Sequence, residues 1–297
     1  SKARNVTYNH MLSDSSRGFG ADKELGSNST GVEGSLSAET YGYKSGHTAD
    51  GWTMVDGTDT NDSQEDGNTN QPGVSYVAWT WKANGGTTSS NTEGTITSTV
   101  QANQETGFSI VKYTGNGGGG PIGHGLSQAP ELILVKAMDA AHEWQLFNKD
   151  VSSATYPTLN GRLALQSNGA ANFDTYTVSV AATTFEWTGS SAGFAYFCAN
   201  GTNYITYCFH SVAGYSKFGT YSGTGSTNPI TGLGFQPGWV MLKSTTSTED
   251  WAMFDASRGA NTFLVANSSA AEQSFSGFSF DSDGFTVVHT STSSGTT

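Results

Sequence analysis

Five carboxylates crowd into one short stretch, Asp56, Asp59, Asp62, Glu65 and Asp66, set among Gly, Thr, Asn and Ser. Hard cations such as Ca²⁺ take six to eight oxygen ligands from flexible acidic loops of this kind. The spacing is not that of an EF-hand loop, so a solvated surface loop is the plainer reading. If a metal binds, Asp56, Asp59, Asp62 and Asp66 are its ligands, and Ca²⁺ is the one cofactor the sequence suggests. Arg17 and Arg258 each stand before Gly in the loops "DSSRG" and "DASRG". A guanidinium there could fork onto a carboxylate and pin the loop, or bind an acidic sugar; the structural role is the simpler one. Glu131, Glu143 and Glu186 could in principle pair for glycoside cleavage, but no motif surrounds them. The chain carries no Ser-His-Asp spacing, no H-E-x-x-H and no Cys/His zinc cluster, and reads as a non-enzyme. "GNGGGGPIGHG" (115–125) lacks the Lys-Ser/Thr ending of a phosphate loop.

The stretch "YVAWTWK" (76–82) admits two chemistries. Trp79 and Trp81 could stack on sugar rings, or they could fill a core. Alternation places Val77, Trp79 and Trp81 on one face and Tyr76, Ala78 and Thr80 on the other. Its copy "YITYCF" (204–209) places Ile205, Tyr207 and Phe209 against Tyr204, Thr206 and Cys208. A face kept large and apolar in both copies marks a core strand.

The elements that must position these residues emerge from an internal repeat. "YTGNG" (113–117) recurs as "YSGTG" (221–225). From Gly125 onward every match holds one offset of 107 residues: Gly125 with Gly232, Pro130 with Pro237, Lys136 with Lys243, Trp144 with Trp251, Phe147 with Phe254. A second set ties the third unit to the first: "DASRG" to "DSSRG", "LVANSSAAE" (264–272) to "LGSNSTGVE" (25–33), and "SDGFTVV" (282–288) to "ADGWTMV" (49–55). Trp144 and Trp251 recur as structural aromatics. The repeat also settles a local ambiguity. "ELILVKAMDAAHEWQLFNK" alone could be a helix, but its copy "GWVMLKSTTSTEDWAMFDA" has a Thr/Ser centre that reads as a turn. Strand, turn, strand fits both.

Charged residues are 13% of the chain, aromatics 12%, and glycines number 38. Short strand signals separated by Gly, Asn, Asp and Ser predict an all-β protein. The expected architecture is a tandem array of β-sandwich, jelly-roll-like units with Gly/Ser/Thr-rich turns. The expected division is the second half of a unit at 1–83, a Gly/Thr/Ser-rich linker at 84–106 with one strand signal near 96–100, a complete unit at 107–211, and a third at 212–297 without its closing aromatic strand. Such a unit presents an open edge, closed either by residues beyond 297 or by another chain. The net charge of −12 argues against a nucleic-acid partner and against an anionic membrane surface. No apolar run approaches the ~18 residues of a span. Cys198 and Cys208 are expected as small buried thiols rather than a disulfide framework.

The combination "GFSIVKYTGNG…IGHGLSQAPELILVK…EWQLF" (107–147), with the closing "YVAWTWKANGG", resembles a repeated module of tailed-bacteriophage tail and fibre proteins. The resemblance covers most of the chain, and its motifs are structural. It implies a structural virion protein, of the tail or a fibre-like appendage, that contacts the host surface. The implied partners are further copies of the chain, other virion proteins and host-surface polysaccharide, with no nucleic acid and no membrane insertion. The other readings are a carbohydrate-binding module or a polysaccharide depolymerase.

Overall fold

The structure, a computed structural model, describes residues 1–59, 68, 70–154, 158–189 and 194–288. The protein is all-β, with antiparallel strand pairs throughout. In the first unit lie β1 (Lys2–Ala3), β2 (Tyr43–His47), β3 (Trp52–Val55) and β4 (Tyr76–Val77). The middle unit runs β5 (Ser89–Asn91), β6 (Ser98–Asn103), β7 (Phe108–Thr114), β8 (Gly120–Gly123), β9 (Leu132–Ala137), β10 (Gln145–Asn148), β11 (Thr158–Ala164), β12 (Asn172–Val180), β13 (Thr184–Thr188) and β14 (Asn203–Phe209). The third contains β15 (Thr227–Thr231), β16 (Trp239–Leu242), β17 (Ala252–Asp255), β18 (Thr262–Val265), β19 (Gln273–Ser274), β20 (Phe278–Asp281) and β21 (Gly284–Val288).

The segment that could have been a helix is the β9–β10 hairpin, and its copy is the β16–β17 hairpin, in equivalent register: Leu134 faces Leu146 and Met241 faces Met253. Leu146 then faces Leu163, Met253 faces Leu264, and in the first unit Leu12 bridges Leu25. All three units therefore share one backbone core, the first included, although its sequence keeps little of the pattern there.

The middle unit is one ten-stranded sheet, ordered β5-β6-β7-β14-β9-β10-β11-β12-β13-β8, rather than two separate sheets. It rolls over on itself. The Ile96 N–H donates to the Pro121 carbonyl at 3.1 Å and the Ser98 hydroxyl to the Gly123 carbonyl at 2.7 Å, so β8 meets the β5–β6 segment. Gly94 permits this approach: a β-carbon there would lie 2.0 Å from the Pro121 oxygen. The segment read as a linker thus contributes β5 and β6 to the sheet. Inside the roll pack Val100, Val111, Ile122, Ile133, Val135, Phe147, Val178, Phe185 and Trp187.

The outer face of the same strands is buried too. Ile110, Ile205, Tyr207, Leu134 and Leu146 join Leu25, Leu163, Leu264, Trp144, Trp251 and Met253 in a second core to which all three units contribute. Burial on both faces explains why "ELILVK" and "YITYCF" are nearly continuous apolar runs rather than alternating ones. The third unit keeps a core of its own around Phe254, Phe278 and Phe285. No helix among the described residues is long and apolar enough to cross a membrane.

Leu264 is fully buried in the shared core. Leu264→Ala should lower stability by roughly 2–5 kcal/mol in a urea titration followed by Trp fluorescence. A loss below about 0.5 kcal/mol would show that the three units do not close over this position.

Candidate functional site

The side chains marked by repetition converge on the joints between units. In the middle unit, Trp144 donates its ring N–H to the Gly26 carbonyl of the first unit at 2.8 Å. In the third unit, Trp251 donates to the Ala164 carbonyl of the middle unit at 3.1 Å. In the first unit the equivalent residue is His10, whose Nε2 lies 2.9 Å from the Val265 carbonyl of the third. Gly26, Ala164 and Val265 are equivalent, each following the Leu of the shared core. The three bonds close a cycle. A second cycle runs through backbone: Glu33 N–H to the Met138 carbonyl at 2.9 Å, Ala171 N–H to Thr245 at 2.9 Å, and Glu272 N–H to Arg4 at 2.6 Å.

Two joints carry an additional charged network. The Asp14 carboxylate accepts the backbone N–H groups of Ser16 and Arg17, both at 2.9 Å, and the Arg17 Nε–H donates back onto it. Arg17 also donates to the Leu12 carbonyl at 3.0 Å and to Glu33 at 3.2 Å. The Tyr207 hydroxyl of the middle unit donates to Asp14 at 2.8 Å. At the joint of third and first units Arg258 holds Asp255, Glu272 at 3.1 Å and the Met253 carbonyl at 2.9 Å. There Trp79 takes the part of Tyr207: its ring N–H donates to Asp255 at 3.2 Å and its face lies 5.6 Å under the Arg258 guanidinium. Arg4 adds a forked pair to Glu272 at 2.9 and 3.0 Å. Its hydrogen bonds, and then those of Arg258, hold the Glu272 carboxyl below the usual carboxylate range. Each guanidinium thus holds a carboxylate of its own loop, and that carboxylate also accepts from a neighbouring unit.

A third repeated device uses Lys136 and Lys243, which the repeat matches, together with Lys2, which the sequence reading missed. Lys2, Lys136 and Lys243 each turn the ammonium back onto two carbonyls, of the next residue and of the fourth following. The distances are 2.6 and 3.4 Å for Lys2, 2.7 and 3.4 Å for Lys136, and 2.6 and 3.5 Å for Lys243. Burial pulls Lys2 and Lys136 down to about 8. His10 and Lys2 were discoverable from one signal: Lys2 precedes His10 by the same interval that separates Lys136 from Trp144 and Lys243 from Trp251.

The aromatic strand behaves differently in its two copies. In β14, Tyr204, Ile205, Thr206 and Cys208 are fully buried. In the first unit only Tyr76 and Val77 form strand; Trp79 enters the joint, while Trp81 is 41% exposed and lies edge-on to Trp239 at 5.5 Å. Core packing of the whole "VAWTW" face therefore holds for Val77 and Trp79 and not for Trp81.

Of the candidate Ca²⁺ ligands, Asp62 and Asp66 lie outside the described residues, as does Glu65. Asp59 is described, its backbone N–H donating to the Thr40 carbonyl at 3.2 Å. Among the described residues no three His, Cys, Asp or Glu side chains converge as metal ligands. Cys198 and Cys208 are buried and unbridged. Glu131 accepts from the backbone N–H of Ser211 at 3.2 Å. Glu143 lines a shallow cavity of about 160 Å³ with Gln145 and Arg162.

A family model described as a domain of unknown function (DUF7483) matches residues 1–297, and the chain belongs to that family. No curated protein and no solved structure matches the chain significantly.

His10 makes one joint pH-sensitive. Burial, its largest influence, pulls the imidazole from 6.5 down to about 3. A group neutral when folded and protonated when unfolded contributes stability that is complete above the unfolded value. That stability drains away as pH falls toward the folded value. By pH 5 the loss should be about 2 kcal/mol. His10→Trp, which restores the residue of the other two units, should shrink the drop in Tm between pH 7 and pH 5. An unchanged drop would place the acid sensitivity elsewhere.

Proposed function

We propose that the chain is a structural component of a bacteriophage virion, in the tail or a fibre-like appendage, acting by packing and docking rather than catalysis. The observation that carries this reading is what repetition has kept. Trp144, Trp251, Arg17, Arg258, Glu33 and Glu272 all serve joints between units. A scaffold whose recurring polar groups hold its own parts in fixed relation suits a rigid element of a larger assembly. The assignment to a phage particle rests on the resemblance of residues 107–147 to tail modules. Further copies of the chain and other virion proteins are its partners in this reading, with polysaccharide of the host surface beyond them. Purified particles of a phage encoding the chain should contain it in fixed stoichiometry by mass spectrometry, and antibodies against it should decorate the tail by immunogold. Its recovery solely from the particle-free fraction of the lysate would overturn the assignment.

Exposed indoles favour a second reading, a carbohydrate-binding module. Trp52 is 37% and Trp81 41% exposed, and flat rings open to water offer stacking faces for sugars. On this reading a glycan array, with and without Ca²⁺, yields a ligand whose binding Trp81→Ala weakens at least about tenfold. An array with no ligand under either condition would end it.

A further inference from the structure

The first and middle units treat the outer edge of their leading core strand identically. β4 pairs with β1, placing Val77 opposite Lys2 and Tyr76 opposite Ala3. β14 pairs with β9, placing Ile205 opposite Lys136 and Tyr204 opposite Ala137. In the third unit the equivalent strand is β16. It pairs with β17 on one side, and among the described residues no strand lies along its other edge. The surroundings differ to match. Tyr113 of β7 stacks on Tyr204 of β14 at 5.3 Å, sets its edge to Phe185 at 6.1 Å, and is 4% exposed. Tyr221 stands in its place in the third unit and meets Phe285 at 6.0 Å in the same edge-to-face manner, yet it is 43% exposed. Trp239 of β16 has a buried ring N–H without an acceptor among the described residues.

We propose that the outer edge of β16 is a docking edge for an extended segment of a partner polypeptide, which adds antiparallel to the sheet beside Tyr221. The two paired copies define what fits. The occupant carries Tyr, Val or Ile, a small residue, Trp or Tyr, a small residue, then Trp or Phe, as in β4 with its continuation and in β14. Both faces of such a strand bury, one toward the third unit's core and one toward the shared core, as β14 does in the middle unit. The register follows from β14 on β9: the leading Tyr lies opposite Ser244, the central aromatic opposite Met241 and the last aromatic opposite Trp239. A second copy of the chain is a poor donor. Its two strands of this pattern, β4 and β14, are already paired with β1 and β9.

The probe is a fluorescent peptide with the sequence of residues 75–82, titrated against the 297-residue chain by anisotropy. Saturable binding is expected, roughly tenfold weaker for a scrambled peptide. Hydrogen exchange should slow at those backbone N–H groups of residues 239–243 that do not already bond β17. A chain carrying Leu242→Cys should form a disulfide with a peptide carrying Ala78→Cys and not with one carrying Trp81→Cys, because the register sets the former pair opposite each other. Because wild-type protein serves in the first two measurements, a misfolded variant cannot decide the outcome. Absence of saturable binding, or binding that leaves those N–H groups unprotected, would overturn the proposal, as would a chain extended past residue 297 whose own continuation protects them without peptide. Light scattering that finds the chain alone to dimerise, with those same N–H groups protected, would also overturn it by making a second copy the occupant.

Discussion

Three carbonyls at the joints set the terms of this structure. Gly26, Ala164 and Val265 each follow a core Leu where the units meet, and each accepts the N–H of the third residue on, from Ser29 at 3.3 Å, Ser167 at 3.1 Å and Ser268 at 3.2 Å, which leaves one lone pair for a donor from outside the turn. The second donor is an aromatic ring from the next unit: Trp144, Trp251 and His10. The indole suits the task because its large apolar body fills the shared core while its single N–H reaches the carbonyl. Since the bonds close a cycle, each unit is both donor and acceptor. Loss of one unit would open two joints, and the apolar outer faces of the core strands would be exposed together. The shared core and the hydrogen-bonded ring are thus one constraint seen through two kinds of atom.

The joints tolerate different chemistry around that fixed ring. Two use Asp, Arg and Glu: Asp14, Arg17 and Glu33 at one, Asp255, Arg258 and Glu272 at another. At the third, the equivalent positions are Asn148, Val151 and Ala171. Asn148 still accepts the N–H of Asp150 at 2.9 Å, as Asp14 accepts that of Ser16. Removing a whole buried ionic set together leaves no charge unpaired, which is why such a replacement can be nearly neutral when loss of a single member is not. The preserved Asn keeps the loop turn at the joint where the whole ionic set is replaced.

Much of this was legible in the sequence, and the limits have physical causes. The β9–β10 hairpin was readable because its copy removes the helix-forming residues while keeping the ends. The matched segments "LGSNSTGVE" and "LVANSSAAE" already held Glu33 and Glu272, and "DSSRG" and "DASRG" held Arg17 and Arg258. What the pattern could not give was that each Arg reaches its Glu and that both face another unit, because order around a ring is not encoded in spacing. His10 escaped because His and Trp differ in size and polarity and share only an aromatic ring with an N–H in the right place. The roll of the middle sheet was hidden in a Gly/Thr/Ser-rich stretch: Gly94 looks like a linker residue, but it is there because the Pro121 carbonyl leaves no room for a side chain.

The aromatic closing strand shows how far one sequence pattern can diverge in environment. β14 lies between two neighbours, so both of its faces bury and its small residues, Thr206 and Cys208, are as inaccessible as its rings. β4 has one neighbour, and its pairing ends after Val77. Beyond that point the backbone is free of the ladder and each indole is placed by its own contacts. Trp79 is held by the charge and hydrogen-bond acceptor of the Asp255–Arg258 pair, whereas Trp81, edge-on to Trp239, stays open to solvent. Strand periodicity assigns faces only as long as a ladder holds the strand straight. The exposure of Trp81 therefore follows from the missing second neighbour, not from the identity of the residue.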